Sequence, residues 1–214
     1  MKIKWLGHAS FLITSDAGTK IINDPYAPNE RLNYDEIKES ADIVTVSHGH
    51  GDHNNVASVR GNPEVVKETA EIKTIKFNGI ATYHDNAGGS QRGKNTIFCF
   101  EVDGIRFCHL GDLGHQLGDK EVAEIGKVDI VLTPVGGNYT IDAAVATKVC
   151  SKLAPKVIIP MHYRNDRCGS FPVSGVDEFL KGKPRVSRLN ISEVEFKTGE
   201  LPATTQIIVL KPAL

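Results

Sequence analysis

The 214-residue sequence predicts an α+β domain, and three features carry that prediction. Period-2 alternation and short β-branched runs bounded by turn residues recur through the first half. Two turn signals, "DAGTK" (16–20) and "VDGIR" (102–106), join neighbouring runs into meanders. In the second half "VDIVLTPV" (128–135) and "KVIIPMHY" (156–163) are apolar on both faces and flank the longest helical pattern, as strands inside a helix-covered sheet do.

Taken in order, strands are expected at "KIKWL" (2–6), "SFLIT" (10–14), "TKIIND" (19–24), "DIVTVSH" (42–48), "IKTIKF" (72–77) and "GIATYH" (79–84). "NTIFCFEV" (95–102) and "IRFCHLGD" (105–112) come next as a hairpin about Asp103-Gly104. Helices are expected at "YDEIKESA" (34–41), for a turn or two within "DHNNVASV" (52–59), and at "DKEVAEIG" (119–126). The longest is "TIDAAVATKVCSKLAP" (140–155), with Thr140 as N-cap and Pro155 beyond its end, and "VSGVDEFLKG" (173–182) closes the set. No fixed-period repeat or Pro/Ser-rich linker divides the chain, so 1–214 reads as a single domain.

A hydrophobic fraction of 40% supports one substantial core. With 25 basic against 26 acidic residues, the chain has no general field for nucleic acid or anionic lipid, and neither partner is favoured. The start, "MKIKWLGHASFLIT", alternates Lys with apolar residues as a strand does and lacks the pattern of a signal peptide. No run of about 18 apolar residues suggests a membrane span. A cytoplasmic location is therefore expected. The cysteines at 99, 108, 150 and 168 form no CxxC pair and read as reduced thiols, although Cys99 and Cys108 can face each other across a hairpin.

The segment "HGHGDH" (48–53) spends three of the eight histidines in six positions, directly after an apolar strand. Such a cluster arises by chance in fewer than roughly one comparable sequence per thousand. Imidazole is the commonest ligand of borderline divalent metals and carboxylate offsets their charge, so the pattern points to metal. His48 and His50, at i and i+2, can point to one side of an extended loop and share an ion, while Asp52 and His53 face a neighbouring position. His84, His109, Asp112 and His162 also sit just past strand ends, where a sheet holds loop residues in place. Singly, each is more often a hydrogen-bonded structural residue than a ligand, and Asp24 has a second reading as a plain turn residue before Pro25. His115 reads as surface.

The order "HGHGDH", His84, "GDLG", "PMHY", with "WLGHASF" near the start and "NDP" after the third strand, resembles the metallo-β-lactamase superfamily. Within it, the chain is similar to small metal-dependent hydrolases related to ascorbate-6-phosphate lactonase. The resemblance implies an αββα sandwich: two mixed β-sheets flanked by helices, with a two-metal cleft at the strand ends. It implies His48, His50 and His84 on one metal, Asp52, His53 and His162 on the other, and Asp112 bridging both. Asp24 would orient the ligand loop from behind. His109 is the alternative to His84. The resemblance places His8 near the metals without binding them, in a proton-transfer or substrate-contact role or a structural one.

The activity so implied is that of a binuclear hydrolase in which a metal-bridged hydroxide cleaves an ester, lactone or phosphoester. Zinc is the default metal, with Mn, Fe or Ni as alternatives. His8, Asp52 or a metal-bound water would protonate the leaving group. Such chemistry needs no Ser or Cys nucleophile, and no GxSxG is present. Arg92 and Lys94 in "NAGGSQRGKN" (86–95), with Arg164 and Arg167 in "HYRNDRCGS" (162–170), suggest a small anionic substrate, though solvated loop charges explain them equally. Two other readings stay open: a phosphodiesterase or nuclease, and a non-enzymatic metal-binding domain. Oligomeric state is not legible.

Overall fold

A computed structural model describes residues 1–214. Two mixed sheets face each other. The smaller contains β1 (Lys2–Gly7), β2 (Ser10–Thr14), β3 (Lys20–Asn23), β4 (Ile43–Thr45), β5 (Glu64–Val66) and β13 (Glu193–Glu195), in the order β13-β1-β2-β3-β4-β5. The larger contains β6 (Ala70–Ile72), β7 (Ile75–Tyr83), β8 (Lys94–Val102), β9 (Ile105–His109), β10 (Ile130–Pro134), β11 (Val157–Met161), β12 (Val186–Arg188) and β14 (Gln206–Val209). Its order is β12-β14-β11-β10-β9-β8-β7-β6, antiparallel from β6 to β9 and parallel from β9 onward.

The alternation read from the sequence does what period-2 geometry requires. Ile3, Trp5, Phe11, Ile13, Ile21 and Ile43 point into the main core, while Leu6, Leu12, Ile22 and Val44 point the other way into a smaller cluster. Helices α1 (Asp119–Ile125), α2 (Ala143–Leu153) and α3 (Val176–Leu180) lie with the larger sheet, α2 on β10 and α3, α1 on β7. On the outer face of the smaller sheet the cover is chain without helix: Tyr26, Leu32, Tyr34, Ile37, Cys168, Phe171 and Val173 close the smaller cluster there.

Three local expectations are corrected. Residues 34–41 form no helix, because Tyr34 and Ile37 bury against the sheet while Asn33 N and Ala41 N bond across to Arg167 O and Arg60 O. Tertiary burial overrides an amphipathic spacing there. The run 72–77 is a hairpin, with Lys73 and Thr74 turning at positive φ between β6 and β7. The cap of α2 is Asp142, whose carboxylate accepts from Val145 N, rather than Thr140. The expected turn or two within 52–59 is a single 3-10 turn, Val56–Ser58. Strands β5, β12, β13 and β14 add to those read from the sequence. Cys99 and Cys108 face each other in register across the β8–β9 hairpin, and all four thiols are free. No helix is long and apolar enough to cross a membrane.

This topology sets up the site. The C-terminal ends of β1, β3, β4, β7, β9, β10 and β11 all reach the same edge of the sandwich, the edge at which open α/β sheets bind ligands.

Candidate metal centre

Asp24 leaves β3 with φ 41° and is fully buried. Its Oδ1 accepts from Ser47 N (2.7 Å), and its Oδ2 accepts from Ser47 Oγ (2.6 Å) and His53 Nδ1 (2.9 Å). A carboxylate that only accepts fixes the protons around it. The Ser47 hydroxyl hydrogen points to Asp24, so Ser47 Oγ receives the Nδ1 hydrogen of His48 (2.9 Å). Both imidazoles are thereby set with Nδ1 protonated and Nε2 bare, the tautomer that metal ligation through Nε2 needs. Burial opposes ionisation of Asp24, but the bond from His53 and the nearby imidazoles hold its carboxyl below the usual range.

The larger sheet supplies the rest. His84 follows β7, Asp112 lies three residues past β9, and His162 follows β11 in a left-handed conformation, φ 51°. Asp112 N donates to Asn95 Oδ1 (2.9 Å), and Asn95 Nδ2 bonds Thr82 Oγ1 and Leu110 O. Around Asp112 Oδ2 stand four imidazole Nε2 atoms: His53 at 3.1 Å, His84 at 3.3 Å, His162 at 3.5 Å and His48 at 3.9 Å. Close approach demands glycine beside them. A Cβ on Gly114 would lie 2.2 Å from His84 C and Asp85 N, and one on Gly136 2.3 Å from His162 O.

His109 stands apart. Its Nε2 donates to Ala9 O (2.8 Å) and its Nδ1 accepts from Gly111 N (3.1 Å), so both ring nitrogens are used. It has no lone pair left for a metal. His115 is half-buried and accepts from Tyr83 N at 3.3 Å.

Buried polar atoms normally have partners. Here His53 Nε2, His162 Nε2, Asp112 Oδ1 and His8 Nε2 are buried with none. Two imidazole triads place their donor atoms within 4.8 Å of one another: His48, His50 and His84, and His8, His53 and His162. Bare nitrogens converging around a carboxylate fit divalent cations bound through N and O. The second triad differs from the expected Asp52, His53 and His162. Asp52 is 26% exposed, with its Oδ2 3.4 Å from His8 Nε2 and 3.8 Å from His53 Nε2, so it stands at the cleft edge of the group.

Charge states agree with that fit at His48, His84 and Asp112, whereas His53 holds a second proton that a bound ion would have to displace. Burial pushes His8 down to about 4 and His48 down to about 3, and lowers His84, so these rings are neutral at pH 7, the state in which an imidazole can ligate. For His53 burial is outweighed by Asp112 and Asp24, which raise its pKa well above the usual value. Asp112 is buried, yet His162 and His53 hold it ionised, well below the usual carboxylate range.

The centre opens into a cleft of about 300 Å³ lined by Arg31, His50, Asp52, His84, Arg92, Asp112, Tyr139, His162 and Phe171. Arg92 sits 5.6 Å above the Tyr139 ring, Tyr139 stacks on Phe171 at 5.1 Å, and Phe171 meets the rings of His8 and His162 edge-on at 5.5 Å. Of the four cations expected at the rim, only Arg92 lines it. Lys94 is exposed on β8, Arg164 is exposed beside Gly175, and Arg167 pairs with Asp35 at 3.6 Å. Sequence reasoning missed Arg31, Tyr139 and Phe171, which carry no local motif, and Ser47, whose place between Asp24 and His48 a strand-end Ser-His pair could have suggested. It also missed Asp85, whose two oxygens accept four backbone N–H groups that hold its carboxyl down at about 2 against the burial that opposes them. A larger hollow of about 420 Å³, between α2, α3 and the loop to β12, contains none of these imidazoles.

Comparison with known proteins agrees with the geometry. The family model for the beta-lactamase superfamily domain matches residues 2–162. A UPF0173 metal-dependent hydrolase of Carboxydothermus hydrogenoformans is 33% identical over 83% of this chain and 88% of its own. Another, of Archaeoglobus fulgidus, is 30% identical over 94% and 97%. A crystal structure from Thermotoga maritima, of a protein assigned to the Zn-dependent hydrolases of the metallo-β-lactamase superfamily, superposes with a TM-score of 0.81. It is 38% identical and covers 98% of this chain and 97% of its own. With its two mixed sheets and a histidine-rich centre at the shared strand ends, the chain belongs to the metallo-β-lactamase superfamily and, within it, to the UPF0173 metal-dependent hydrolases.

Proposed function

We propose that the centre is binuclear and hydrolyses an ester, lactone or phosphoester bond in a small anionic substrate. The observation that carries this reading is Asp112 Oδ2, which lies within 3.9 Å of four imidazole Nε2 atoms drawn from both triads. His48, His50 and His84 would hold one ion, and His53 and His162 with Asp52 the other, with Asp112 available to both. Zinc is the default, and manganese, iron or nickel suit the same donors. Ions bound there would supply Lewis acidity toward the scissile group and would lower the pKa of water from about 15.7 toward 7.

The chain's own groups do the rest. Asp24 and Ser47 keep the His53 and His48 rings aimed at the centre. Asp52, on the cleft and 3.4 Å from His8 Nε2, is kept ionised against its burial by the His8 and His53 rings, so it would take the proton that the attacking water gives up and pass it to the leaving group, with neutral His8 behind it. Arg92 and Arg31 offer cations to an anionic substituent. Seven His and Asp ligands for two ions favour an open, catalytic site over a closed structural one.

Metal analysis of the purified protein, paired with a panel of carboxylic esters, lactones, phosphomonoesters and phosphodiesters, tests the reading. Two ions per chain and turnover of at least one bond class, abolished in Asp112→Asn, are expected. Two ions without turnover of any class would establish a binding domain instead.

A further inference from the structure

One buried carboxylate, next in sequence to His84, stands outside the groups that converge at the centre. Asp85 is 2% exposed, and its partners are all backbone: Oδ1 accepts from Ala87 N (2.8 Å) and Gly89 N (2.9 Å), and Oδ2 from Gln91 N (3.0 Å) and Arg92 N (2.8 Å). Four amides of the 86–93 loop hang on this one side chain. The loop is closed by Gly93 N on Gly89 O (2.9 Å) and by His84 N on Gly93 O (3.0 Å). At its end Arg92 reaches the cleft and rests on the Tyr139 ring, and neither Arg92 nor Arg31 has a carboxylate partner. A guanidinium held by its own backbone, supported on an aromatic face and unpaired with an acid, is an anion receptor whose direction is set before the ligand arrives.

We propose that Asp85 is a positioning residue for Arg92, and that Arg92 so held, together with Arg31, binds an anionic group that the substrate carries away from its scissile bond. This rests on the cleft being the substrate site. Asn at position 85 keeps one accepting oxygen but turns an NH2 toward two amide donors, so half of the cradle fails while the shape is kept.

The test is calorimetric binding of phenylphosphonate to the protein as isolated, in wild type, Asp85→Asn, Arg92→Gln and the double variant. Loss of a charge-assisted bond in Arg92→Gln weakens binding by about tenfold or more. Asp85→Asn weakens it by a comparable factor, and the double variant binds no more weakly than Arg92→Gln alone, because Asp85 acts through Arg92. Hydrogen exchange at the amides of Ala87, Gly89, Gln91 and Arg92 rises in Asp85→Asn and not in Arg92→Gln. Wild-type affinity in either single variant, losses that multiply in the double variant, or no saturable binding to wild type overturns the proposal. Metal loss confined to Asp85→Asn overturns it too, by placing Asp85 in the service of His84. Metal analysis of the wild type separates the two readings: a wild type without metal removes the binuclear hydrolase, while the four-way binding comparison still reports on Arg92.

Discussion

His53 donates from Nδ1 to Asp24 Oδ2 at 2.9 Å, and its other nitrogen stands 3.1 Å from Asp112 Oδ2. One buried ring thus joins the smaller sheet, which fixes its tautomer, to the larger sheet, which supplies the central carboxylate. The two halves of the sandwich form one centre through this contact.

Asp24→Asn tests that role. The amide cannot accept from Ser47 and His53 on both oxygens, so the ring at 53 loses its orientation while the strand order stays. Metal affinity is expected to fall by about 10–100-fold. Competition with a chromophoric chelator measures it, and wild-type affinity would contradict the tautomer assignment.

His109 gives the opposite expectation. Both its nitrogens serve backbone partners, so His109→Ala leaves Ala9 O and Gly111 N unpaired beside a cavity and costs about 2–4 kcal/mol. Denaturant unfolding reads the loss. Metal stoichiometry should stay at the wild-type value; a variant short of one ion would return His109 to the ligand set.

Protonation predicts the stability of the protein stripped of metal. His8 and His48 titrate in the folded chain at about 4 and about 3, against 6.5 when unfolded. As pH falls below 6.5 the unfolded chain binds protons first, and each ring removes up to about 1.4 kcal/mol per pH unit. His84 and His109 act in the same direction. The raised pKa of His53 contributes stability below 6.5 that is lost as pH rises through its folded value. Stability of the chelated protein should therefore peak near pH 6.5–7 and drop toward pH 5, and His8→Gln should flatten the acid side. A curve that is flat or rising toward pH 5 would refute this balance.

Gly114→Ala probes the packing that seats His84. The new methyl would meet His84 C and Asp85 N at 2.2 Å, and backbone cannot yield cheaply. Loss of one metal ion, with the fold retained by circular dichroism, is the expected outcome; two ions at wild-type affinity would show that the loop has slack.

Much of the fold could be read from the chain because the strands of both meanders alternate cleanly and Asp103-Gly104 is a turn with few alternatives. The segment 34–41 misled because Tyr34 and Ile37, spaced like one face of a helix, bury equally well as irregular chain against the sheet. The hairpin within 72–77 turns on Lys73 and Thr74, residues with no turn signature. Strands β12 and β13 are three residues long, partly polar and without a buried residue, so no run marked them. At the site, "HGHGDH" was legible because it is local. The aromatic wall was not, since Tyr139 and Phe171 become neighbours only through folding. Arg164 and Arg167 were misplaced for the converse reason: nearness in sequence to His162 does not set the direction of a side chain on an exposed loop.

Both the proposed hydrolysis and the role of Asp24 depend on the two triads and Asp112 forming a shared binuclear centre. Crystals of the protein loaded with zinc, with anomalous data collected on both sides of the metal edge, put that arrangement to the test without recourse to activity. Two peaks flanking Asp112 are expected, one bounded by His48, His50 and His84 and the other by His53 and His162. A single peak, or ions that leave Asp112 uncoordinated, would contradict it.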